Sequence, residues 1–511
     1  MTNLYNPNST ICAIATPAGG AIGIVRVSGP EALTCVSPLF QPMGSKTLAE
    51  KAGGTLTFGR IVDPTSHETV DEVLVSLFRA PHSYTGEDSI EISCHGSAYI
   101  LNRVLQLLLA QGCRMAQPGE YTQRAFMNGK MDLSQAEAVA DLIASTTAAN
   151  HRMAMQQMRG GFSRKLKELR EKLLHLTALM ELELDFSDHE DLEFASRQEL
   201  FDLATHIRMQ IGKLCQSFSL GNALKRGFPV AIVGETNAGK STLLNALVGE
   251  ERALVSNIHG TTRDTVEETI VLGDTLIRFI DTAGIRATTD TVERMGIERT
   301  YEKIDEAQIV IWLLDATCAL DQFRDLQGKV LCPGKHYLLA VNKTDLLDAP
   351  ALAALQTSLN ENLRSLLSSN SPHPTTEAEA TDRENATAPI IHSLLYLSAH
   401  HETDIESIRH HLSSAVQSLR SNSTDENDII VSNVRHYEAL TQAHTAIERV
   451  IEGLNTGLSG DFISQDLREC TFHLGAIIGE IPTESVLATI CLLYTSPSPR
   501  DRSVSRMPSS A

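Results

Sequence analysis

The sequence is short of four things, and each shortage excludes a class of protein. It has no uninterrupted apolar run near the ~20 residues of a membrane-spanning helix, so no membrane segment is expected. Its opening, MTNLYNPNSTICAIATPAGG, holds neither a basic stretch leading into an apolar one nor an Arg-rich amphipathic stretch. Secretion and organelle import are therefore not indicated, and a cytoplasmic location is expected. It has no Cys-x-x-Cys pair, and its nine cysteines are odd in number and scattered. That pattern suits reduced thiols and not a disulfide framework or a zinc site. Positive charge is scarce as well: 43 Lys and Arg stand against 63 Asp and Glu, a formal net charge of −20. A protein that coats nucleic acid electrostatically needs the opposite balance, although a local basic patch stays compatible with this one.

What is present is an ordinary globular composition, 42% hydrophobic and 21% charged, over 511 residues. At ~150 residues per domain that length predicts about three domains. Residues 1–120 mix short β-type runs (ICAIATP, AIGIVRVSG, GTLTFGRIV, EVLVSLFRAP) with one amphipathic helix, SAYILNRVLQLLLAQG, which is expected to end at Gly112. They read as an α+β domain. Residues 121–222 are almost wholly helix-forming. Residues 223–420 alternate strands with helices, the mark of a parallel-sheet α/β domain. Within them the polar stretch SSNSPHPTTEAEATDRENATAP (368–389) reads as a disordered loop. Helical texture returns over 421–490, so the α/β domain is expected to be inserted into an all-α one. No repeat is apparent.

The motif that carries chemistry lies at the start of the α/β domain. Gly234 to Ser241, GETNAGKS, matches Gly-x-x-x-x-Gly-Lys-Ser between an apolar strand, PVAIVG, and a helix, STLLNALVG. In that context glycines let backbone N–H groups curl around phosphates, Lys240 adds a point charge and Ser241 offers a hydroxyl to Mg²⁺. A chance glycine-rich turn is the plain alternative, and four further elements in the expected order argue against it. GTTRD (260–264) supplies Thr262 for Mg²⁺ and the γ-phosphate. DTAG (281–284) follows the strand LIRFID, with Asp281 for the metal through water and Gly284 for the γ-phosphate. NKTD (342–345) follows the strand YLLAVNK, and Asp345 can accept from N1 and the exocyclic amine of guanine, a donor pair adenine lacks. LSAH (397–400) then brings the backbone of Ala399 to the base oxygen. Asn237, Ala238, Gly239, Thr242, Ser256, Thr261, Thr282, Ala283, Asn342, Lys343, Ser398 and His400 complete the expected contacts of a GTPase domain. Two details set the mechanism apart. Ile285 follows Gly284 where a Ras-like enzyme has a water-positioning glutamine. Asn237 can be either a turn residue or the ligand of a monovalent cation whose charge stabilises the transition state.

With these residues in view, the chain resembles the MnmE (TrmE) family of tRNA-modification GTPases. The resemblance covers about residues 8–490 and is carried by ATPAGGAIGIVRVSG, SYTGEDSIEISCHG, PGEYTQRAFMNGKMDLSQAEAVADLI, DTAGIRATTDTVERMGIERT and LREC…LGAIIGEIPTESVLATI. It implies an N-terminal folate-binding domain that also forms a homodimer, a helical domain and an inserted G domain. It also implies an MnmG-like, FAD-using partner, a heterotetramer, and modification of C5 of the wobble uridine in certain tRNAs with a tetrahydrofolate one-carbon unit (5-formyl- or methylene-). By the same resemblance Asn237, Ser256, Ile258 and Thr261 would hold K⁺, and Ser241 and Thr262 would hold Mg²⁺. Glu293 would position the attacking water in place of the missing glutamine; without the resemblance it is a solvated helix glutamate. Arg26, Glu91 and Lys130 would contact folate; otherwise they are a strand-end arginine, a turn carboxylate and a solvated lysine. His95, in Cys-His-Gly-Ser, is expected to be structural.

Other features carry plainer expectations. HRMAMQQMRGGFSRKLKELREKL (151–173) is basic and reads as a solvated helix face before it reads as a tRNA contact. The acidic ELELDFSDHEDLE (181–193) reads as a charged helix end and loop. Relatives in the resembled family end in Cys-x-Gly-Lys; continuing the match places Thr495 at the cysteine and leaves Cys491 off register. Residues 491–511 are Ser/Pro/Arg-rich and are expected to be an aberrant or disordered tail, without the family's terminal thiol. Two rival functions are a regulatory or ribosome-assembly GTPase switch and a folate-binding scaffold whose G domain times assembly.

Overall fold

The computed structural model describes residues 9–185, 197–249, 268–280, 304–332, 334–369, 389–421 and 429–480. The chain divides into two compact units, Met1–Ile143 with Ala154–Thr177 and Thr471–Ala511, and Ala144–Met153 with Ala178–Cys470. Their boundary runs within four helices, so this division crosses the helical segments.

The first unit is built on a seven-stranded sheet. Its strands are β1 (Ile11–Ile14), β2 (Ile22–Ser28), β3 (Phe40–Pro42), β4 (Thr55–Val62), β5 (Thr69–Phe78), β6 (Ser89–His95) and β7 (Arg114–Met115). They lie in the order β3-β4-β5-β6-β2-β1-β7, antiparallel except for the β1–β7 pair. The alternation expected of half-buried strands is present. Val25, Val27, Val73, Val75, Leu77, Ile90 and Ile92 point into one core, which the short helix α1 (Ala32–Val36) and helix α2 (Ala98–Ala110) close with Leu101, Val104, Leu105 and Leu108. Helix α2 stops just before Gly112, as its sequence predicts. The opposite face carries polar residues between strands, among them Arg26 directly across from Glu91. Helices α3 (Glu120–Met127) and α4 (Leu133–Ala144) follow.

The basic stretch 151–173 is not one helix. Helix α5 (Ala148–Met158) and helix α6 (Gly161–Asp185) are separated at Gly160, whose φ is +75°. Among its seven cations, Arg152 pairs with Asp274, Lys165 with Glu168 and Arg170 with Glu480.

In the second unit helix α7 (Arg197–Arg226) leads into a six-stranded sheet. It continues past residue 222, and β8 (Phe228–Val233) follows after Gly227. The other strands are β9 (Glu268–Leu272), β10 (Thr275–Phe279), β11 (Ile309–Asp315), β12 (His336–Asn342) and β13 (Ile390–Tyr396). The order is β13-β12-β11-β8-β10-β9, parallel except for the β9–β10 hairpin. Both faces are apolar, as a parallel sheet flanked by helices requires. Val230, Ile232, Ile309, Ile311, Leu313, Leu338 and Ala340 pack on one side, with residues from helix α8 (Lys240–Val248). Ala231, Val233, Val310, Trp312, Leu314, Tyr337 and Leu339 pack on the other. Trp312 is fully buried there and stacks on Phe323 of helix α9 (Ala319–Val330), with centroids 5.4 Å apart. Such a pair adds about 0.5–1.5 kcal/mol beyond its area burial. Helices α10 (Ala349–Ser369) and α11 (Glu402–Ser421) complete the α/β layers. Helix α12 (Val434–Thr456) returns along α7, where the Phe218 and Tyr437 rings stack at 4.3 Å, and helix α13 (Gly460–Ile478) follows. The fold is thus multidomain, with an α+β N-terminal part, a helical part and a P-loop α/β part.

Candidate functional site

Four parallel strands, β8, β11, β12 and β13, end at the same edge of the second sheet. That edge is where ligands bind in open α/β sheets. The loop after β8 is shaped by backbone alone. Gly239 has φ +97°, and a Cβ there would lie 2.2 Å from Asn342 Nδ2. A Cβ on Gly234 would lie 2.3 Å from the Leu313 carbonyl. Only glycine fits at either place. Asn237 takes a left-handed φ of +66°, which satisfies the turn reading of this residue and leaves its side chain exposed. Gly239 caps α8, so the first N–H groups of that helix open into the loop. Lys240 follows at once. Its ammonium donates to the carbonyls of Gly234 at 2.8 Å and Glu235 at 2.6 Å. A cradle that a side chain would fill, with a lysine spent on its own rim, fits a phosphate group that would take over those bonds. Ser241 and Thr242 occupy the next positions on α8, half-buried.

The NKTD and LSAH segments converge on this loop. Asn342, 3% exposed, donates from Nδ2 to the Ala238 carbonyl at 2.8 Å and accepts from the Ala399 N–H at 2.9 Å. One side chain therefore ties the phosphate loop to both NKTD and LSAH. The Ser398 N–H donates to Asp404, and the Thr344 N–H to the Leu397 carbonyl. Lys343, in a left-handed turn at φ +64°, donates to Asp315 at 2.7 Å. Burial works against ionisation of Asp315, but hydrogen bonds from Lys343 and Thr317 outweigh it and hold that carboxyl below its ordinary range. Asp345 is also held below its ordinary range, first by the Ser398 hydroxyl and also by the imidazoles of His400 and His401. It therefore stays an anionic acceptor. Asn237, Ala238, Gly239, Lys240, Ser241, Thr242, Asn342, Lys343, Asp345, Ser398, Ala399 and His400 thus lie along one sheet edge. Ser256, Ile258, Thr261, Thr262, Asp281, Thr282, Ala283, Gly284 and Glu293 lie outside the described residues, as do Cys491 and Thr495.

The second candidate is on the polar face of the N-terminal sheet. Arg26 and Glu91 are cross-strand partners, joined at 2.8 Å and about one third and one quarter exposed. The Arg26 guanidinium lies 5.8 Å from the ring centre of Tyr84 and 5.6 Å from that of Tyr121. Tyr121 donates to the Arg26 carbonyl at 2.8 Å, and burial pushes its phenol above the ordinary value. The Tyr84 hydroxyl meets that of Thr122 at 2.9 Å. Lys130 differs: its exposed ammonium donates to the Pro81 carbonyl, and its stem passes Gly86 in the turn that carries Tyr84. Arg124 underlies this turn. It is fully buried, bonded to both oxygens of Glu87 at 3.1 Å and to Glu120 at 3.0 Å. Glu120 also accepts from Arg114 at 2.6 Å and from the Gln117 N–H at 2.9 Å. Burial raises the cost of its charge, but these bonds prevail and keep its carboxyl below the usual value. His95 presents its backbone N–H and Nδ1 to Asp71, both at 2.8 Å, while most of its ring stays exposed.

Sequence reasoning named Arg26, Glu91 and Lys130 and missed Tyr84, Tyr121, Glu87, Glu120 and Arg124. All five lie inside SYTGEDS or PGEYTQRAF, so those two segments were the available signal. Asp315 and Gln322 were not named by sequence reasoning.

The chain matches two family patterns. One, described as "GTP-binding protein TrmE N-terminus", covers residues 10–130. The other, "MnmE helical domain", covers residues 133–491. A "tRNA modification GTPase MnmE" from Bacteroides fragilis is 55% identical over 484 residues, spanning 94% of this chain and 97% of the relative. Proteins with the same name from Phocaeicola vulgatus and Flavobacterium johnsoniae are 52% and 46% identical, each spanning 94% of this chain and 97% of their own. Among solved structures, a GTP-binding protein from Sulfolobus solfataricus in complex with GDP covers 49% of this chain and 67% of its own, at 16% identity and a TM-score of 0.25.

Proposed function

The chain belongs to the MnmE family of tRNA modification GTPases, and from that premise we propose how its two sites divide the work. It is a GTP hydrolase. The phosphate loop binds the nucleotide through backbone N–H groups around Gly239 and through Lys240, which exchanges two loop carbonyls for phosphate oxygens. Asp345 selects guanine by accepting two hydrogen bonds, and Asn342 holds the base loop and phosphate loop in register. Ser241 and Thr262 would hold Mg²⁺, whose charge neutralises the phosphates. Asn237, with Ser256, Ile258 and Thr261, would hold K⁺, whose charge stabilises the transferring phosphoryl group. Glu293 would orient the attacking water, since Ile285 cannot.

The N-terminal site would bind a tetrahydrofolate, either 5-formyl- or methylene-substituted. Arg26 would pair with its carboxylate or pterin oxygen, Glu91 would keep that guanidinium oriented, and Lys130 would supply a second cation. The aromatic flanks of Arg26 support this reading, because they place its guanidinium between two rings beside a partly exposed surface on which a flat ring can stack. With an FAD-dependent MnmG-like partner, and as a homodimer in the cytoplasm, the protein would place an aminomethyl or carboxymethylaminomethyl group at C5 of wobble uridine. The described residues include no helix long and apolar enough to cross a membrane.

The observation that carries the reading is the loop itself: a cradle closed to any side chain at Gly239, with Lys240 on its rim and Asn342 tying it to NKTD. Its test is mass analysis of tRNA from cells with the gene deleted. The C5 group on wobble uridine should disappear and return on complementation. Unchanged tRNA would contradict the modification role and favour a regulatory GTPase switch. GTP turnover should also rise strongly when K⁺ replaces Na⁺, and equal rates would remove the cation role given to Asn237.

A further inference from the structure

The phosphate loop contains a carboxylate that the reading above leaves without a role. Glu235 directly follows Gly234, and its own carbonyl accepts from Lys240. A carboxylate beside a phosphate cradle repels the ligand unless something fixes it elsewhere. Here that something is Gln322. It sits in the first turn of α9, only 6% exposed. Its Nε2 donates to Glu235 Oε2 at 2.8 Å, and its Oε1 accepts the Asp315 N–H at 2.9 Å. Asp315 in turn accepts from Lys343 of NKTD at 2.7 Å. The result is a polar chain, Glu235–Gln322–Asp315–Lys343, running from the phosphate loop to the base loop. It is separate from the direct tie made by Asn342.

A glutamine that only closed the turn between β11 and α9 would need the bond to the Asp315 N–H and nothing more. The second bond, to a loop carboxylate, is unexplained by local structure. Asn342 already fixes the loop's backbone at Ala238, so the chain through Gln322 is not needed for loop shape.

We infer that Gln322 is a positioning residue for nucleotide binding: it pins the Glu235 carboxylate against α9, away from the phosphates, and couples that state to Lys343. The inference rests on the phosphate-loop reading above. Freed, Glu235 would oppose GTP more than GDP, because GTP brings more negative charge to the cradle. Binding, and therefore KM, should move more than kcat.

The test uses variants of equal size in the full-length chain, titrated with fluorescent GTP and GDP analogues in Mg²⁺. Gln322→Glu keeps the acceptor for Asp315 and replaces the donor with a charge facing Glu235. It should weaken GTP about tenfold, equivalent to ~1.4 kcal/mol, and GDP by clearly less. Adding Glu235→Gln exchanges the roles of the two side chains and restores one hydrogen bond across the same pair. GTP affinity in that double variant should return to within about twofold of the parent. Parent-like GTP affinity in Gln322→Glu, or a double variant no better than the single one, would overturn the inference. A glutamine that merely supported the fold would not be rescued by a change at Glu235. If the single variant does not fold, Gln322→Ala with and without Glu235→Gln asks the same question, and the same failure of rescue counts against it. If the unaltered protein bound neither nucleotide, the phosphate-loop reading would fall instead, so the two failures are distinguishable.

Discussion

The phosphate loop and the N-terminal site are built from different material. Around Gly239 the site is built chiefly from backbone N–H groups with Lys240 on the rim, shaped by the absence of side chains at Gly234 and Gly239. Around Arg26 they are side-chain charges from separated segments: Arg26 on β2, Glu91 on β6, and beneath them Arg124 and Glu120 on α3 with Glu87 in the preceding turn. A backbone site depends on conformation and fails when a Cβ intrudes. A side-chain site depends on charge balance and fails when one partner is removed. The predictions set these two modes of failure against each other.

The largest effect is expected at Arg124. Replacing it with methionine leaves Glu87 and buried Glu120 without their shared cation, and breaking a buried pair from one side costs about 3–5 kcal/mol. Denaturant unfolding of Arg124→Met should show that loss, and an unchanged midpoint would mean the network adds nothing to the fold. Arg26→Ala should lower tetrahydrofolate affinity by roughly 10–100-fold, the value of a charge-assisted contact of about 1.5–3 kcal/mol, without change in GTP binding. Parallel titrations with both ligands would check it, and equal losses for the two would erase the distinction between the sites.

Acid should act on both sites through their carboxylates. The Glu120 carboxyl is held below its ordinary value of 4.5, so its stabilisation is present above that pH and is lost as pH falls through the lower folded value. Asp315 titrates with the same sign from an ordinary value of 3.8. Unfolding followed from pH 6 to pH 3 should therefore lose stability at both sites as these carboxyls take up protons. The smallest effect is expected at Arg152, whose pair with Asp274 is solvent-exposed. Arg152→Ala should change stability by less than about 1 kcal/mol, and a larger loss would show that this contact does more than an ordinary surface pair.

The same contrast explains how much was legible in the sequence. A backbone site is written in contiguous letters, because one loop must carry its glycines and lysine at fixed spacing. GETNAGKST, NKTD and LSAH therefore announced themselves, and the parallel sheet beneath them followed from its apolar runs. Arg26 and Glu91 are opposite each other only because β2 and β6 pair in one register, which spacing along the chain does not reveal. Resemblance to a family supplied those two positions, but Tyr84, Tyr121 and Arg124 became visible only with their contacts. Gln322 is the limiting case: its partners, Glu235 and Asp315, come from different strand ends, and no local pattern marks it. The break at Gly160 was missed for a different reason. The residues on both sides are helix-forming, and the break falls at the turn of Arg159 and Gly160, where Gly160 takes a φ of +75°.

The most direct test of two independent sites is a titration of Gly239→Ala with GTP and with 5-formyl-tetrahydrofolate. A Cβ at that position would meet Asn342 Nδ2 at 2.2 Å. Loss of GTP binding by about 100-fold or more, with tetrahydrofolate affinity equal to that of the unaltered chain, is the predicted result. Retained GTP affinity, or joint loss of both ligands in a protein that still folds, would contradict it.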